Sequence, residues 1–183
     1  HPNLIISGIN NSGKTLLIKT ILNDLFSTNN SLRKELLFDN IYYEKSNYHY
    51  YFDFKLINNN FKILILIKKI INSYNYYTNK YNYIILDNYE YLNDTIQNKL
   101  KVIFEKSVLT SKIIIITNKY NQVISPIKSR FLNIRIPSHN PVDKFIYFRK
   151  LLLRNLFIID DDVLYKIIIK HDNLDFNFIN ILG

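Results

Sequence analysis

Gly8-Ile9-Asn10-Asn11-Ser12-Gly13-Lys14-Thr15 is the stretch that decides the fold of this chain. It holds two of the chain's three glycines and matches the phosphate-binding loop pattern GxxxxGK[ST]. In such a loop, successive backbone N–H groups surround phosphate oxygens at a helix N-terminus, where the helix dipole also favours negative charge. We expect Lys14 to reach the outer phosphates and Thr15 to offer its hydroxyl to Mg²⁺. The predicted phosphate-binding residues are Gly8, Asn11, Ser12, Gly13, Lys14 and Thr15.

The segments on either side of the loop have the patterns that such a loop requires. Leu4-Ile5-Ile6-Ser7 predicts a short buried strand before it. Apolar residues recur at helical spacing after it, at Leu17, Ile18, Ile21, Leu22 and Leu25. Asn10 and Asn11 replace the small residues often found in the loop, and asparagine tolerates a positive φ better than most residues.

Composition limits the classes of protein to consider. The 183 residues suit one domain, or a domain with a small appendage, and the absence of cysteine excludes disulfides and thiolate metal sites. Apolar runs of about five residues are too short to cross a bilayer, and the start lacks a secretory signal pattern, so we expect a soluble intracellular protein. Because methionine is absent and the first residue is His1, we interpret the sequence as an excerpt.

The net charge of +9 favours a polyanionic partner such as nucleic acid. A second explanation stays open, because asparagine, isoleucine, lysine and tyrosine all have A/T-rich codons. Nucleotide bias could therefore enrich lysine without any functional cause.

Strand-like and helix-like segments alternate along the chain, which predicts a layered α/β fold with a parallel sheet. The helix candidates include Lys62 to Asn72, as a crossover between strands, and Asp94 to Lys106. The mostly polar stretch from Ser27 to Asn40 predicts a surface excursion and no core element. The strand candidates are Leu4–Ser7, Tyr48–Phe54, Tyr83–Leu86, Ile113–Thr117 and Leu132–Ile136.

The pattern changes after Pro137. Ser138-His139-Asn140-Pro141 is a linker that ends in a helix cap with proline at the first helical position. Apolar residues beyond it recur at helical spacing only. We therefore predict a nucleotide-binding core at residues 1–138 and the start of an all-helical subdomain at residues 139–183.

An acidic residue that could complete the site ends the third strand candidate. Asp87 follows an apolar strand, at the edge where ligands bind in open α/β sheets, and could hold Mg²⁺ through its water shell. Many ATPases place a glutamate next to orient or deprotonate water, but this chain has Asn88. Since an amide cannot accept that proton, we expect hydrolysis about 10²–10⁴-fold slower than with glutamate. Glu90 could compensate, although a solvated surface carboxylate is the simpler interpretation.

Two further candidates follow the fourth strand. Asn118 ends it and could position water or the γ-phosphate, while the alternative is an Asx turn that closes the strand. Pro126-Ile127-Lys128-Ser129-Arg130-Phe131 comes next, followed by Arg135-Ile136-Pro137.

These motifs, in this order, resemble those of the small subunits of eukaryotic and archaeal replication factor C, the sliding-clamp loader of the AAA+ class. The segment around Arg130 looks like the clamp-loader Ser-Arg-Cys box, with Phe131 in place of cysteine. One small subunit of the family has a degenerate ATPase site of its own. Its matching stretch is similar to Ser46-Asn47-Tyr48-His49 and the following helix that carries Lys62. The resemblance runs from His1 to about Asn177.

The resemblance implies an AAA+ core with a five-stranded parallel sheet in the order 5-1-4-3-2, followed by a helical lid. It implies ATP and Mg²⁺ as cofactors, Thr15 and Asp87 at the metal, Asn118 as the sensor residue, and Arg130 as an arginine finger for a neighbouring subunit's ATP. The implied partners are other clamp-loader subunits, the sliding clamp and primer–template DNA, in the nucleus. The candidate DNA contacts are Lys62, Lys68, Lys69 and Lys119.

Two departures from the family pattern, Asn88 and Asp175, suggest a subunit that holds nucleotide and hydrolyses little of it. Asp175 stands where the lid of the family usually presents an arginine to the γ-phosphate. Two alternatives stay open: a small nucleoside or nucleotide kinase, which would need an arginine-rich lid, and a scaffold subunit in which nucleotide is purely structural.

Overall fold

The structure is a computed structural model that describes residues 2–26, 34–39, 41–57, 60–77, 81–138, 140–154 and 156–170. Its strands are β1 (Leu4–Gly8), β2 (Lys34–Phe38), β3 (Ile41–Lys45), β4 (His49–Asp53), β5 (Asn82–Asp87), β6 (Ser111–Thr117) and β7 (Leu132–Ile136). Its α-helices are α1 (Lys14–Leu25), α2 (Asn60–Ile71), α3 (Asp94–Lys106), α4 (Ser125–Lys128), α5 (Pro141–Arg154) and α6 (Asp161–Lys170). The helices predicted over 62–72 and 94–106 are confirmed as α2 and α3.

The strands form one sheet in the order β2-β3-β4-β5-β6-β1-β7. The five strands from β4 to β7 in this row are parallel, and they are the five that the sequence predicts. If these five strands are numbered 1 to 5 along the chain, as β1, β4, β5, β6 and β7, their order in the sheet is 5-1-4-3-2. The predicted order is therefore confirmed. The predicted number is wrong, because the described sheet has seven strands and its remaining two, β2 and β3, are antiparallel.

One of the two extra strands, β2, lies where the sequence predicts a polar surface excursion, and β3 begins directly after that stretch. That interpretation is wrong for 34–38, which form β2 and pair with β3, while residues 27–33 and 40 lie outside the described part. Asp39 has φ 51° and follows β2, so the chain turns there in the left-handed conformation that asparagine and aspartate tolerate. The signal was present as two apolar triplets, Leu36-Leu37-Phe38 and Ile41-Tyr42-Tyr43, on either side of Asp39-Asn40.

Both faces of the sheet are buried at the central strands β1, β5 and β6, which explains their nearly continuous apolar sequences, whereas the edge strand β7 is mostly exposed. Ile6, Ile85 and Ile114 face α1 and pack with its Ile18 and Leu22. Their neighbours along the same strands, Ile5, Ile84, Leu86, Ile113 and Ile115, lie in the other core cluster with residues of α2 and α3. Packing on both faces fixes these paired strands relative to one another, so their carboxyl ends lie side by side at one edge of the sheet.

Internal contacts divide the chain into two units, one of His1–Gly8 with Lys14–Ile136 and one of Ile9–Gly13 with Pro137–Gly183. In the second unit, Phe148 of α5 packs with Leu164 and Ile168 of α6, and Arg149 pairs with Asp161 at 3.0 Å. The described residues 140–154 and 156–170 contain helices and no strands, as the sequence predicts. The assignment of a lid function to this part stays a prediction, and Asp175 lies outside the described residues.

None of the described helices has the length and apolar character to span a membrane.

Candidate nucleotide-binding site

The candidate site is built on the carboxyl ends of three adjacent parallel strands. β1 ends at Gly8, β5 at Asp87 and β6 at Thr117, and these strands stand side by side in the order β5-β6-β1. Register places Ser7 beside Thr117. Ligands of open α/β sheets bind at this edge, since the connecting loops and helix N-termini gather there.

Asp87 and Thr15 are in direct contact. The Thr15 hydroxyl donates to Oδ2 of the buried Asp87 at 2.7 Å, across 72 residues of chain. The same Oδ2 accepts from the Tyr51 hydroxyl at 2.7 Å, and Oδ1 accepts from the backbone N–H of Asn88 at 2.7 Å. The carboxylate that the sequence predicted for the metal thus lies against the predicted metal-binding hydroxyl.

Lys14 lies beside this pair with only 6% of its surface exposed. Its Nζ donates to the carbonyl oxygen of Gly8 at 3.1 Å. Burial lowers the pKa of Lys14, and the negative charges of Asp87 and Glu90 partly oppose this shift. A phosphate anion would oppose it further, because it favours the charged ammonium.

Within the loop 9–13, Asn11 and Gly13 have positive φ angles of 61° and 79°. A side chain at Gly13 would meet no atom within 4 Å, so its glycine is needed for backbone conformation and not for space. Asparagine at position 11 fits the left-handed conformation, as the sequence suggested. The roles of Asn11, Ser12 and Gly13 toward phosphate stay predictions.

The residues present fit magnesium bound together with a nucleotide. No cluster of three or more His, Cys, Asp or Glu residues that could hold a metal unaided occurs within the described ranges. Mg²⁺ suits such a site, since it commonly binds through one or two carboxylates plus substrate phosphates and retains several waters. Thr15 and Asp87 would hold it, and the ion would supply neutralisation of phosphate charge.

The side chain of Asn88 contacts Asp53, a partner that the sequence did not predict. Its side-chain Nδ2 donates to Oδ1 of Asp53 at 2.7 Å, and its backbone is left-handed at φ 54°. Asp53 ends β4 in register with Asp87, and Asn88 donates to both carboxylates, through its side chain to Asp53 and through its backbone N–H to Asp87. A glutamate at position 88 would meet the charge of Asp53, which gives this position a local reason to be an amide.

Glu90 is not a solvated surface carboxylate, and that interpretation is corrected. It is half-buried in the short 3₁₀ turn Tyr89–Tyr91 and accepts from the Thr117 hydroxyl at 2.8 Å. Asn118 donates to it twice, through its backbone N–H at 3.1 Å and its Nδ2 at 2.6 Å. The Asn118 amide is therefore held by Glu90 at the end of β6, and its sensor role stays a prediction.

Arg130 lies on the surface, just after α4, with 49% of its side chain exposed. Its guanidinium donates to the carbonyl oxygen of Pro126 at 2.7 Å and pairs with Glu105 at 3.1 Å. The next residue, Phe131, is buried and packs against Phe104 with ring centroids 5.6 Å apart. A buried aromatic residue beside an exposed guanidinium anchors the segment while leaving the charge at the surface.

The four candidate DNA lysines have different surroundings. Lys62 pairs with Asp39 at 2.8 Å, which offsets its charge. Lys69 lies over the Phe38 ring, and exposed Lys119 precedes a 3₁₀ turn. Lys68 lines a groove between α2 and α3 that Lys99 and Lys106 also line. The structure thus gathers Lys68 with two lysines that the sequence analysis did not select, and any DNA contact stays a prediction.

Sequence reasoning missed Tyr51, Asp53 and Thr117. Tyr51 and Asp53 belong to a strand that was predicted, but their hydroxyl and carboxylate reach the site only through the pairing of β4 with β5. Thr117 ends the predicted fourth strand next to Asn118, and it bonds to Glu90 from there. No sequence signal distinguishes these residues from ordinary strand residues.

No family model matches this sequence, and no curated protein matches it. Among solved structures, the chain is similar to three variants of RuvB from Thermotoga maritima, each 12% identical with a TM-score of 0.61. The match covers 90% of this chain and 47% to 48% of each RuvB chain, so this chain spans about half their length. At this level of identity the likeness concerns the fold alone. The chain therefore shares an α/β fold with these RuvB chains, with seven strands in its described sheet.

Proposed function

We propose that this chain binds ATP with Mg²⁺ at the carboxyl edge of its parallel sheet. The observation that carries the proposal is the 2.7 Å contact between the Thr15 hydroxyl and the Asp87 carboxylate, with the buried Lys14 beside it. A buried lysine and a paired hydroxyl and carboxylate are what a magnesium–phosphate group requires. The sequence pattern adds the backbone N–H groups of residues 9–13 as phosphate donors.

We further propose that the chain works as a clamp-loader subunit with a weak ATPase site of its own. The motif order of the sequence supports this, together with the surface position of Arg130 and the amide at Asn88. In this proposal Arg130 serves the ATP of a neighbouring subunit, while other clamp-loader subunits, the sliding clamp and primer–template DNA are the partners, in the nucleus.

Two alternatives make different demands on the site. A nucleoside or nucleotide kinase would transfer the γ-phosphoryl group to a small acceptor, whereas a scaffold subunit would hold nucleotide without turnover anywhere in its complex. The order of the parallel strands, 5-1-4-3-2 in the predicted numbering, supports the clamp-loader proposal over the kinase.

The proposed function is tested by ATP turnover of the chain alone and of the complex with the subunits that co-purify with it. We expect slow turnover by the chain alone, faster turnover by the complex, stimulation by primer–template DNA, and no phosphoryl transfer to nucleosides or nucleoside monophosphates. Turnover of several per second by the chain alone would contradict the weak site. Transfer to a nucleoside acceptor would favour the kinase, and a complex without turnover would favour the scaffold.

A further inference from the structure

The Asp87 carboxylate is held by donors from three different parts of the fold. Thr15 of α1 and Tyr51 of β4 both donate to Oδ2 at 2.7 Å, and the N–H of Asn88 donates to Oδ1 at 2.7 Å. A carboxylate oxygen offers about two lone-pair positions. Both positions on Oδ2 are therefore used, one by the predicted metal-binding residue and one by a tyrosine with no assigned role.

Tyr51 itself is held in place. It pairs with Ile85 in the sheet, and Asp87 lies two residues further along β5 on the same face. Its ring packs with the cluster that faces α1. Lys19 of α1 lies over the ring, with Nζ 4.7 Å from the centroid, and pairs with Glu44 at 3.6 Å. The hydroxyl of Tyr51 therefore approaches Asp87 from a fixed direction.

The hydrogen bond to Asp87 fixes the direction in which the Thr15 hydroxyl points its proton. A threonine hydroxyl has one proton and two lone pairs. When Asp87 accepts that proton, the lone pairs of Thr15 are left for a cation. This orientation depends on the position of Oδ2, and Tyr51 is the second group that fixes that oxygen.

We propose that Tyr51 is a positioning residue of the magnesium site, which holds Asp87 so that the Thr15 hydroxyl is presented correctly to the ion. The inference rests on the proposed function, since it concerns how the same site holds Mg²⁺. Tyr51 itself touches neither metal nor nucleotide in this account. Its effect reaches the ion through Asp87 and Thr15, as partners of metal ligands commonly do.

The test is the magnesium dependence of nucleotide binding by Tyr51→Phe. Affinity for a fluorescent ATP analogue is measured in EDTA and across a Mg²⁺ titration, and the chain contains no tryptophan to interfere. We expect the Mg²⁺ concentration for half-maximal tightening to rise about tenfold, which is the low end for the loss of a ligand's supporting contact. Affinity in EDTA should stay within about twofold of wild type, because neither Lys14 nor the loop loses a contact.

Tyr83→Phe is the matched control, because Tyr83 packs against the same cluster on the α1 side of the sheet. It should leave the Mg²⁺ titration unchanged. In a Thr15→Val background, Tyr51→Phe should have no further effect, since the hydroxyl that it positions is then absent. This double variant separates positioning of Thr15 from a general effect on folding.

A Mg²⁺ titration of Tyr51→Phe that matches wild type would overturn the inference and leave the proposed function intact. Equal weakening in EDTA and in Mg²⁺ would also overturn it, because Tyr51 would then support the fold or the phosphate loop. If wild type bound nucleotide without any response to Mg²⁺, or bound none, the proposed function would fail first.

Discussion

Replacing Arg130 with alanine should lower ATP turnover of the assembled complex by about 10³-fold, since an arginine finger supplied in trans contributes roughly 10³–10⁵-fold. The nucleotide affinity of the isolated chain should not change, because Arg130 would serve another subunit's ATP. The exposed ion pair with Glu105 can be exchanged for phosphate at little cost, as surface pairs are worth about 0–1 kcal/mol. Stability should therefore change little.

The matched control for Arg130→Ala is Lys128→Ala, which removes a neighbouring positive charge from the same segment. Lys128 donates to the carbonyl oxygen of Asn121 and lies over the Tyr120 ring, so we expect turnover close to wild type. Arg130→Lys should not restore turnover fully, because an ammonium lacks the planar fork of a guanidinium. Unchanged turnover in the Arg130→Ala complex would contradict the trans role.

The double variant Asn88→Glu with Asp53→Asn should raise hydrolysis at the chain's own site by about 10²–10⁴-fold, the range for a positioned general base. In the wild-type chain the Asn88 amide donates to Asp53 at 2.7 Å. In the double variant the donor and the acceptor change places, because the new amide at position 53 donates to the new carboxylate at position 88. The glutamate therefore keeps a hydrogen-bond partner and stays ionised. Residue 88 has a left-handed backbone, which glutamate tolerates less well than asparagine. We therefore expect the free energy of unfolding of the double variant to fall by about 1–2 kcal/mol.

Each single variant is a control for that pair. Asn88→Glu alone would place two carboxylates at hydrogen-bond distance, where one takes up a proton and is no longer a base. Asp53→Asn alone supplies no base. Both should stay near wild-type turnover in a steady-state ATPase assay. If Asn88→Glu alone gave the full increase, the role assigned to Asp53 would be wrong, and no increase in the double variant would contradict the role given to position 88.

The sequence predicted the parallel sheet because its signals are local. A glycine-containing loop between Leu4–Ser7 and the helix with Ile18 identifies β1 and α1, and apolar runs bounded by polar residues identify the other parallel strands. β2 and β3 escaped because their apolar triplets are short and lie next to a polar stretch. Their place at the sheet edge depends on pairing, which a local pattern does not show.

The candidate site was predictable only in part for the same reason. Lys14, Thr15 and Asp87 follow from a motif and from a carboxylate at a strand end. The contacts of Tyr51, Asp53 and Glu90 join segments that lie far apart in sequence. The sequence alone predicts a solvated Glu90, because nothing local shows that the turn after Asn88 brings this residue to Asn118.

We expect Lys14, together with Thr15 and Asp87, to hold the phosphates of a magnesium nucleotide. The most direct measurement is the equilibrium affinity of the isolated chain for ATP in Mg²⁺, for wild type and Lys14→Ala, with Lys106→Ala as a control for loss of one positive charge. We predict that Lys14→Ala weakens binding about 100-fold or more, since charge-assisted hydrogen bonds contribute about 1.5–3 kcal/mol each, and that Lys106→Ala matches wild type. Equal ATP affinity of Lys14→Ala and wild type would contradict the account.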